Sequence, residues 1–352
     1  MTTPIQEKTT QDQKEKPRRA QAPPKIPVPV GLDVGYGYVK IFLGDQSHTF
    51  PSLVAPLNPG EREMSLQDHQ DIVEVDDQQF LVGPGAAEGG FRFREQYDAW
   101  WGSPTYKALL TKASQFIPKG ACIVTGLPLH LFIVPQARQQ VATLIKHKLH
   151  AKSVTVLCQG IGALASAISR DASLKERRIA IADIGTRTTE LIGMAKTRFL
   201  KERSRGLVFG VAQIFEHLAA QFTQTYGRSL DPYEIDTAYR NQTPLTIRNI
   251  TLAPKDLHDR LRTYLQQFMD DLHEEMVRTW DIANREESKT IAPQFDLLLF
   301  CGGGAPLLEE LIKERYPHAH VMPHAHLANA EGYWHMAANQ LNAHEPSHGA
   351  TA

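Results

Sequence analysis

The sequence predicts an α/β protein built from two related domains, and three observations lead to that prediction. The chain has 352 residues, more than a single hydrophobic core of ordinary size needs. Short apolar runs typical of strands alternate with stretches of helical period. One pattern of residues occurs twice, about 150 positions apart, which indicates an internal duplication.

The repeated pattern is an apolar strand ending in Asp-apolar-Gly, followed by a short polar turn and a second apolar strand. The first copy spans 31–42 and the second 179–192. Either copy alone is explained by an ordinary β-hairpin turn. Because both copies keep the acid and the glycine, we expect two hairpins that face a shared ligand in a cleft between the domains.

The turns of both hairpins suit a phosphate group. Gly35, Gly37 and Gly185 allow main-chain N–H groups to come close to an anion. The hydroxyls of Thr186 and Thr188 add further donors. The sequence therefore predicts phosphate binding at both turns.

The charged residues of the hairpins suit a phosphate accompanied by a metal ion. Asp33 and Asp183 would repel a phosphate, but they can hold the water ligands of a Mg²⁺ ion that neutralises it. Lys40, on the second strand of its hairpin, can place its ammonium group on a phosphate oxygen. A magnesium nucleotide is the ligand that these residues predict.

Two other strand ends carry residues of interest. Gln159 follows an apolar strand, and an amide there can orient a water molecule for attack on a terminal phosphate; the alternative is a polar residue that merely ends a strand. Gly302, Gly303 and Gly304 follow another apolar strand and allow a flat base and its ribose to lie against bare backbone. The spacing of these glycines does not match the Rossmann fingerprint.

Composition narrows the class of protein. The formal net charge is −1, so no strong overall field favours a nucleic acid or a membrane as partner. The three cysteines, Cys122, Cys158 and Cys301, each lie in an apolar run and indicate buried thiols of a reducing compartment. No apolar run is long enough to span a bilayer. We expect a cytoplasmic protein.

The predicted organisation has two domains, each with an insertion, between polar termini. In chain order the predicted segments are a disordered tail (1–29), domain I (30–158) with an inserted subdomain (about 58–120), domain II (159–327) with a helical subdomain (about 228–290), a C-terminal helix returning to domain I (328–341) and a disordered tail (342–352).

These motifs, in this order, resemble the actin-like ATPase superfamily. The matching stretches are Asp33-Val34-Gly35-Tyr36-Gly37-Tyr38-Val39-Lys40, Gln159-Gly160-Ile161-Gly162-Ala163, Asp183-Ile184-Gly185-Thr186-Arg187-Thr188-Thr189, Cys301-Gly302-Gly303-Gly304-Ala305 and Ala328-Asn329-Ala330-Glu331-Gly332. Phe50-Pro51-Ser52 and Thr125-Gly126-Leu127-Pro128 favour the ParM/StbA-type branch, the actin-like proteins of plasmid segregation.

The resemblance implies an actin-like (ribonuclease H-like) duplicated two-domain fold with a nucleotide cleft between the domains. It implies that Asp33 and Asp183 hold Mg²⁺ through water, that Gln159 positions the attacking water, and that Lys40 contacts the phosphates. It also places further residues on the nucleotide: Gly35, Tyr36, Gly37, Tyr38, Gly185, Thr186, Arg187, Thr188, Gly302, Gly303 and Gly304.

The function implied is an ATPase, with GTP as a possible substrate, that polymerises into filaments and moves plasmid DNA through an adaptor protein bound to centromere DNA. Direct sequence-specific binding of nucleic acid and membrane binding are not expected. A small-molecule kinase of the same superfamily and a nucleotide-dependent scaffold with little turnover are the alternatives. Thr186, Glu190 and Tyr38 depart from the usual pattern of the superfamily and predict slow hydrolysis.

Overall fold

The computed structural model describes residues 27–58, 60, 71–88, 97–280 and 294–344. Most of the predicted N-terminal tail (1–26), the last eight residues of the chain (345–352) and the end of the predicted helical subdomain (281–290) lie outside these ranges. So do residue 59 and residues 61–70 and 89–96 of the predicted insertion.

Strands and helices alternate along most of the chain. The strands are β1 Pro29–Val34, β2 Tyr38–Phe42, β3 Ser47–Pro51, β4 Val54–Pro56, β5 Ile72–Val75, β6 Gln78–Val82, β7 Cys122–Leu127, β8 Ser153–Cys158, β9 Arg178–Ile184, β10 Thr189–Ala195, β11 Arg198–Leu207, β12 Leu245–Ile247, β13 Ile250–Leu252, β14 Leu297–Cys301 and β15 His320–Val321. The α-helices are α1 Pro84–Glu88, α2 Pro104–Ala113, α3 Leu129–Phe132, α4 Pro135–Lys148, α5 Ile161–Arg170, α6 Ala212–Tyr226, α7 Pro232–Arg240, α8 Pro254–Trp280, α9 Glu309–Arg315 and α10 Ala328–His344.

Two five-stranded sheets share one topology. The first has the order β3-β2-β1-β7-β8 and the second the order β11-β10-β9-β14-β15. In each sheet three antiparallel strands are followed by two strands added in parallel. The internal duplication that the sequence predicts is therefore present in the strand order, and the two hairpins occupy equivalent places.

Each sheet carries its own hydrophobic core. One cluster of buried side chains gathers on β1, β2, β7 and helices α2 and α4, and a larger one on β9, β10, β14 and helices α6 to α8. Burial of this apolar surface is the main stabilising contribution to each half. The boundaries of the predicted domains remain predictions.

Helices α5 and α10 cross between the sheets with their backbones in close contact. A Cβ on Gly332 of α10 would lie 1.7 Å from the Gly162 carbonyl oxygen of α5, and a Cβ on Gly31 of β1 would lie 1.8 Å from the Ala330 carbonyl oxygen. Only glycine fits at such contacts. These two contacts bring α10 against both α5 and β1. Asn329, which precedes Ala330 on α10, therefore lies near the ends of both hairpins.

The predicted helical subdomain (about 228–290) consists mainly of helices α7 and α8 over the described residues. The hairpin β12–β13 separates these helices, and left-handed Gln242 and Arg248 mark its turns. Helix α10 ends at His344 rather than at 341.

In the part of the chain that the structure describes, none of the helices combines the length and the apolar character needed to cross a bilayer.

Candidate functional site

A cavity of about 530 Å³ lies between the two hairpins, a size typical of small-molecule sites. Both sheets contribute to its wall. The lining includes the turn of each hairpin, the ends of β7 and β8, the glycines after β14, and residues of α7 and α10. The carboxyl ends of parallel strands meet here, which is where ligand sites form in α/β folds.

The first hairpin neutralises its own acid. Asp33, buried at the end of β1, pairs with Lys40 of β2 at 2.7 Å. The amide of Gln159 donates a long hydrogen bond of 3.4 Å to the other Asp33 oxygen. Ser52 steadies the turn by donating its hydroxyl to the Gly35 carbonyl at 2.6 Å. The turn itself closes with the Gly35 N–H on the Tyr38 carbonyl.

The second hairpin is held by the helix that follows it. The Gly185 N–H donates to the Thr188 carbonyl at 2.8 Å, which closes the turn. The first N–H groups around the start of α6, those of Val211 and Ala212, donate to the carbonyls of Gly185 and Thr186. These backbone contacts fix the turn against the start of α6.

The two turns touch each other. A Cβ on Gly37 would lie 2.1 Å from the Thr186 Oγ1. The Thr186 side chain therefore occupies the space that a side chain at position 37 would need. Glycine at position 37 therefore leaves the room that Thr186 of the opposite hairpin occupies. The contact narrows the space between the predicted phosphate sites.

The acid of the second hairpin is held by an asparagine from the far end of the chain. Asn329 donates its amide to Asp183 at 2.7 Å, while its carbonyl accepts the N–H groups of Gly160 and Ala163 at 3.0 and 3.1 Å. The two accepted bonds fix which end of the amide faces Asp183. Burial raises the pKa of Asp183 to about 6, with Asn329 lowering it and Asp33 raising it.

A second carboxyl lies beside Asp183. Glu190, on β10 directly opposite Asp183 in the hairpin register, is 1% exposed. One oxygen accepts the Leu129 N–H at 3.0 Å, and the other has no hydrogen-bond partner among the described residues. Burial raises the pKa of Glu190 to about 8, and the Asp183 charge adds to the shift. Near neutral pH this carboxyl is protonated.

The glycines after β14 differ in their surroundings. Gly302, at φ +83°, has no room for a Cβ, which would lie 2.4 Å from the Ile184 carbonyl oxygen. Gly303 has open space around it, and its carbonyl accepts the Arg240 guanidinium at 2.8 Å. Gly304 packs against Ile184. Of the three, Gly302 and Gly303 line the cavity.

Aromatic side chains border the cavity. The pKa of Tyr38 is raised to about 12, first by burial and then by Asp236 and Tyr233 of α7. The Tyr38 hydroxyl is hydrogen-bonded to the side chain of Tyr233. This bond joins the first hairpin to the half of the molecule that carries the second. Trp100 lies 4.8 Å from Tyr36, measured between ring centroids.

The comparisons with known proteins agree with this geometry. Residues 31–162 match the family model of the N-terminal domain of actin-like proteins. The chain has the actin-like fold. Its predicted resemblance to the actin-like superfamily is thereby confirmed. A search of curated protein sequences finds no match.

Solved actin-like structures cover nearly the whole chain. A 15-stranded ParM filament from Clostridium botulinum superposes with a TM-score of 0.70 at 21% identity, over 89% of this chain and 99% of that one. The archaeal actin homologue Ta0583, solved in complex with ADP, gives 0.66 at 19% identity, over 89% and 99%. The actin-like protein Alp7A gives 0.63 at 15% identity, over 89% and 97%.

The actin-like fold brings most of the predicted site residues together. Those that line the cavity are Asp33, Gly35, Tyr36, Gly37, Tyr38, Lys40, Gln159, Asp183, Gly185, Thr186, Thr188, Gly302 and Gly303. Arg187 and Gly304 are not among them: the Arg187 guanidinium lies 3.4 Å from Glu216, and Gly304 packs in the interior. Their contact with a nucleotide remains a prediction.

Several cavity residues were not predicted as site residues. They include Trp100, Tyr106, Glu190, Tyr239, Arg240, Gln242, His326 and Asn329. Asn329 and Glu190 stand inside motifs that the sequence displays, so their position was a usable signal. Arg240 and Tyr239 lie in an ordinary amphipathic helix, whose sequence shows nothing that distinguishes them.

Proposed function

We propose that this chain binds a nucleoside triphosphate with Mg²⁺ between the two hairpins, hydrolyses it and assembles into filaments. ATP is the proposed nucleotide, with GTP as the alternative. The observation that carries the proposal is the pair of duplicated hairpins that meet at one cavity, each ending a strand with a buried aspartate.

The residues present fit a magnesium nucleotide. The charge of Asp33 helps to raise the pKa of Asp183, and Lys40 forms its ion pair with Asp33. A hydrated Mg²⁺ held by both carboxylates would supply the missing positive charge and neutralise the phosphates. Gly303, with open space above it, suits the base and ribose.

Hydrolysis needs a positioned water molecule and a proton acceptor. Gln159 stands at the carboxyl end of β8 with its amide anchored on Asp33, which suits it to orient the water. Glu190 lines the cavity and can accept a proton only in its ionised form, whose share grows as the pH approaches its pKa of about 8. We assign these two residues the positioning and proton-transfer roles.

Filament assembly is proposed from the fold and its contacts. Two contacts cross the cavity, Thr186 on Gly37 and Tyr38 on Tyr233, so a bound nucleotide would change how the two halves close on each other. One similar structure is a ParM filament. Segregation of plasmid DNA through an adaptor bound to centromere DNA is the role that we propose for such filaments.

A nucleotide-dependent scaffold with little turnover is the second candidate. The observation that favours it is the Thr186 side chain against Gly37, which occupies space beside the predicted site of the terminal phosphate.

The test combines ATP-dependent sedimentation with phosphate release. The wild type is compared with Asp183→Asn and with Asp45→Asn, the same change at an exposed turn. Pelleting with ATP, and phosphate release that only Asp183→Asn loses, would support the filament-forming ATPase. Pelleting without release would favour the scaffold. Release without pelleting over a wide range of protein concentration would contradict the filament proposal and favour a kinase.

A further inference from the structure

Three aromatic side chains gather at one end of the cavity. Trp100 lies on a short 3₁₀ helix, Tyr97–Gly102, in the segment between β6 and β7. Its ring lies 4.8 Å from that of Tyr36 and 6.0 Å from that of Tyr106, measured between ring centroids. All three residues line the cavity. We call Tyr36, Trp100 and Tyr106 the aromatic cluster.

The aromatic cluster lies at the end of the cavity that is proposed for the phosphates. Tyr36 stands in the turn of the first hairpin, between Gly35 and Gly37. Burial raises the pKa of Tyr106, and the negative charge of Asp33 raises it further, which places the Tyr106 side chain near that carboxylate. The glycines proposed for the base and ribose follow β14 of the other sheet. The cluster therefore borders the site of the phosphates.

Trp100 is held in place through its backbone. The Ser103 hydroxyl donates to the Trp100 carbonyl at 2.7 Å and accepts the Tyr106 N–H at 3.0 Å. The Ser103 N–H donates to the same carbonyl at 3.2 Å. These bonds join the 3₁₀ helix to the start of α2, whose buried side chains belong to the core of the first sheet. The backbone of Trp100 is therefore fixed against that core.

The indole nitrogen of Trp100 is buried without a partner. Its N–H is shut off from solvent and has no hydrogen-bond acceptor among the described residues. The Trp101 indole nitrogen and the Thr105 hydroxyl are in the same state. A buried donor without an acceptor carries the full cost of its lost hydration, and most buried donors in proteins are satisfied. Of these three residues, Trp100 is the one that lines the cavity.

Apolar packing explains the ring of Trp100 but not its nitrogen. Trp100 and Trp101 both pack on the core of the first sheet, and a phenylalanine would fill such a place without burying a polar atom. An indole N–H can donate a hydrogen bond but cannot accept one, so it requires an acceptor. Because Trp100 stands in the wall of the cavity, that acceptor can arrive with a ligand.

Several donors near the proposed phosphate site are already engaged. Lys40 is paired with Asp33 at 2.7 Å. The N–H groups of Gly35 and Gly185 donate to carbonyls within their own turns. A terminal phosphate carries oxygens that each accept hydrogen bonds, and bonds to such charged oxygens are strong. A further donor beside the first turn, such as the Trp100 indole, therefore meets a need of the site.

We propose that the Trp100 ring shifts when the cavity is filled, so that its indole N–H donates to an oxygen of the terminal phosphate. This inference rests on the proposed binding of a nucleoside triphosphate. It adds to that site a residue from the segment between β6 and β7, outside both hairpins. Because a diphosphate lacks the terminal phosphate, Trp100 distinguishes the triphosphate from the diphosphate.

The test compares Trp100→Phe with Trp101→Phe, the same change at a neighbour that packs on the same core but is absent from the cavity wall. Both variants keep an aromatic ring and lose an indole N–H. Calorimetric titration of the full chain measures the affinity for a non-hydrolysable ATP analogue and for ADP, each with Mg²⁺, or for their guanine counterparts where the wild type prefers them. Tryptophan emission is recorded at the same nucleotide concentrations.

Trp100→Phe should bind the triphosphate analogue about tenfold more weakly, the effect of losing one hydrogen bond to a charged group, and the diphosphate within about twofold of the wild type. Trp101→Phe should bind both within about twofold. The triphosphate analogue should change the tryptophan emission of the wild type and of Trp101→Phe, but not that of Trp100→Phe.

Thermal unfolding without nucleotide checks that both variants fold. Should Trp100→Phe fail to fold, the emission of Trp101→Phe still tests the proposal, because that variant retains Trp100. An emission that does not respond to the triphosphate analogue would then contradict it.

Three results would overturn the proposal. One is an affinity of Trp100→Phe for the triphosphate analogue within about twofold of that of the wild type. Another is an equal loss for triphosphate and diphosphate, or an equal loss in both variants, which would assign Trp100 a packing role. In these two cases the wild type binds nucleotide, so the proposed nucleotide site stands and only the role of Trp100 fails. The third is a wild type that binds none of these nucleotides, which would remove the proposed function as well.

Discussion

The two hairpins repeat one design with opposite charge at one position. In the first, the residue across from Asp33 is Lys40; in the second, the residue across from Asp183 is Glu190. The first hairpin therefore neutralises its acid internally, whereas the second places two carboxyls side by side and relies on Asn329 from α10.

This difference separates two tasks that a duplicated fold would otherwise share. A lysine opposite an aspartate keeps a fixed positive charge in the cavity, which suits the holding of phosphate. Two buried carboxyls with raised pKa values keep a proton available near neutral pH. The two hairpins share one backbone arrangement, and the difference between Lys40 and Glu190 makes the site asymmetric.

The largest effect is expected when the ion pair of the first hairpin is broken. Lys40→Met leaves Asp33, 3% exposed, buried without its counter-charge, which should lower the free energy of unfolding by about 3 kcal/mol. Urea unfolding without nucleotide measures this. The double variant Asp33→Asn, Lys40→Met should recover most of the loss; no recovery would mean that Lys40 stabilises by packing rather than by charge.

A smaller effect is expected when the second hairpin loses its partner. Asn329→Ala leaves the N–H groups of Gly160 and Ala163 and one oxygen of Asp183 without hydrogen bonds, and should cost about 2 kcal/mol or more. Asn342→Ala, an exposed position of the same helix, should change stability by less than about 0.5 kcal/mol. Equal effects in urea unfolding would show that Asn329 is not a special contact.

Glu190, which stands where the first hairpin has Lys40, should control the pH dependence of the free energy of unfolding. The folded-state pKa of Glu190, about 8, lies above the ordinary value of 4.5. The stabilisation from its protonated form is therefore complete below pH 4.5 and is lost as the pH rises to 8. Glu190→Gln removes this dependence.

Relative to Glu190→Gln, the wild type should lose about 1 kcal/mol per pH unit between about pH 5 and 8. Asp183, whose pKa is also raised, contributes in the same direction in both proteins, so the difference between them reports Glu190. Thermal unfolding at several pH values measures it. Parallel curves for the two proteins would contradict a protonated Glu190.

Much of the site was predictable because its parts are local in sequence. An Asp-apolar-Gly turn between two apolar strands forms a hairpin by its own propensities. The glycines of the turns and of 302–304 were found for the same reason. The motif did not reveal that the Arg187 guanidinium lies 3.4 Å from Glu216, a residue that the motif does not contain.

The sequence alone determined the fold class, the duplication, the two hairpins and the acids at their ends, because strand period, glycine placement and repetition are properties of short segments. Only the tertiary structure decided the contacts between distant segments. Asn329 meets Asp183, and Thr186 meets Gly37. Such contacts depend on how the sheets and helices pack in three dimensions, which the spacing of residues along a single chain does not encode.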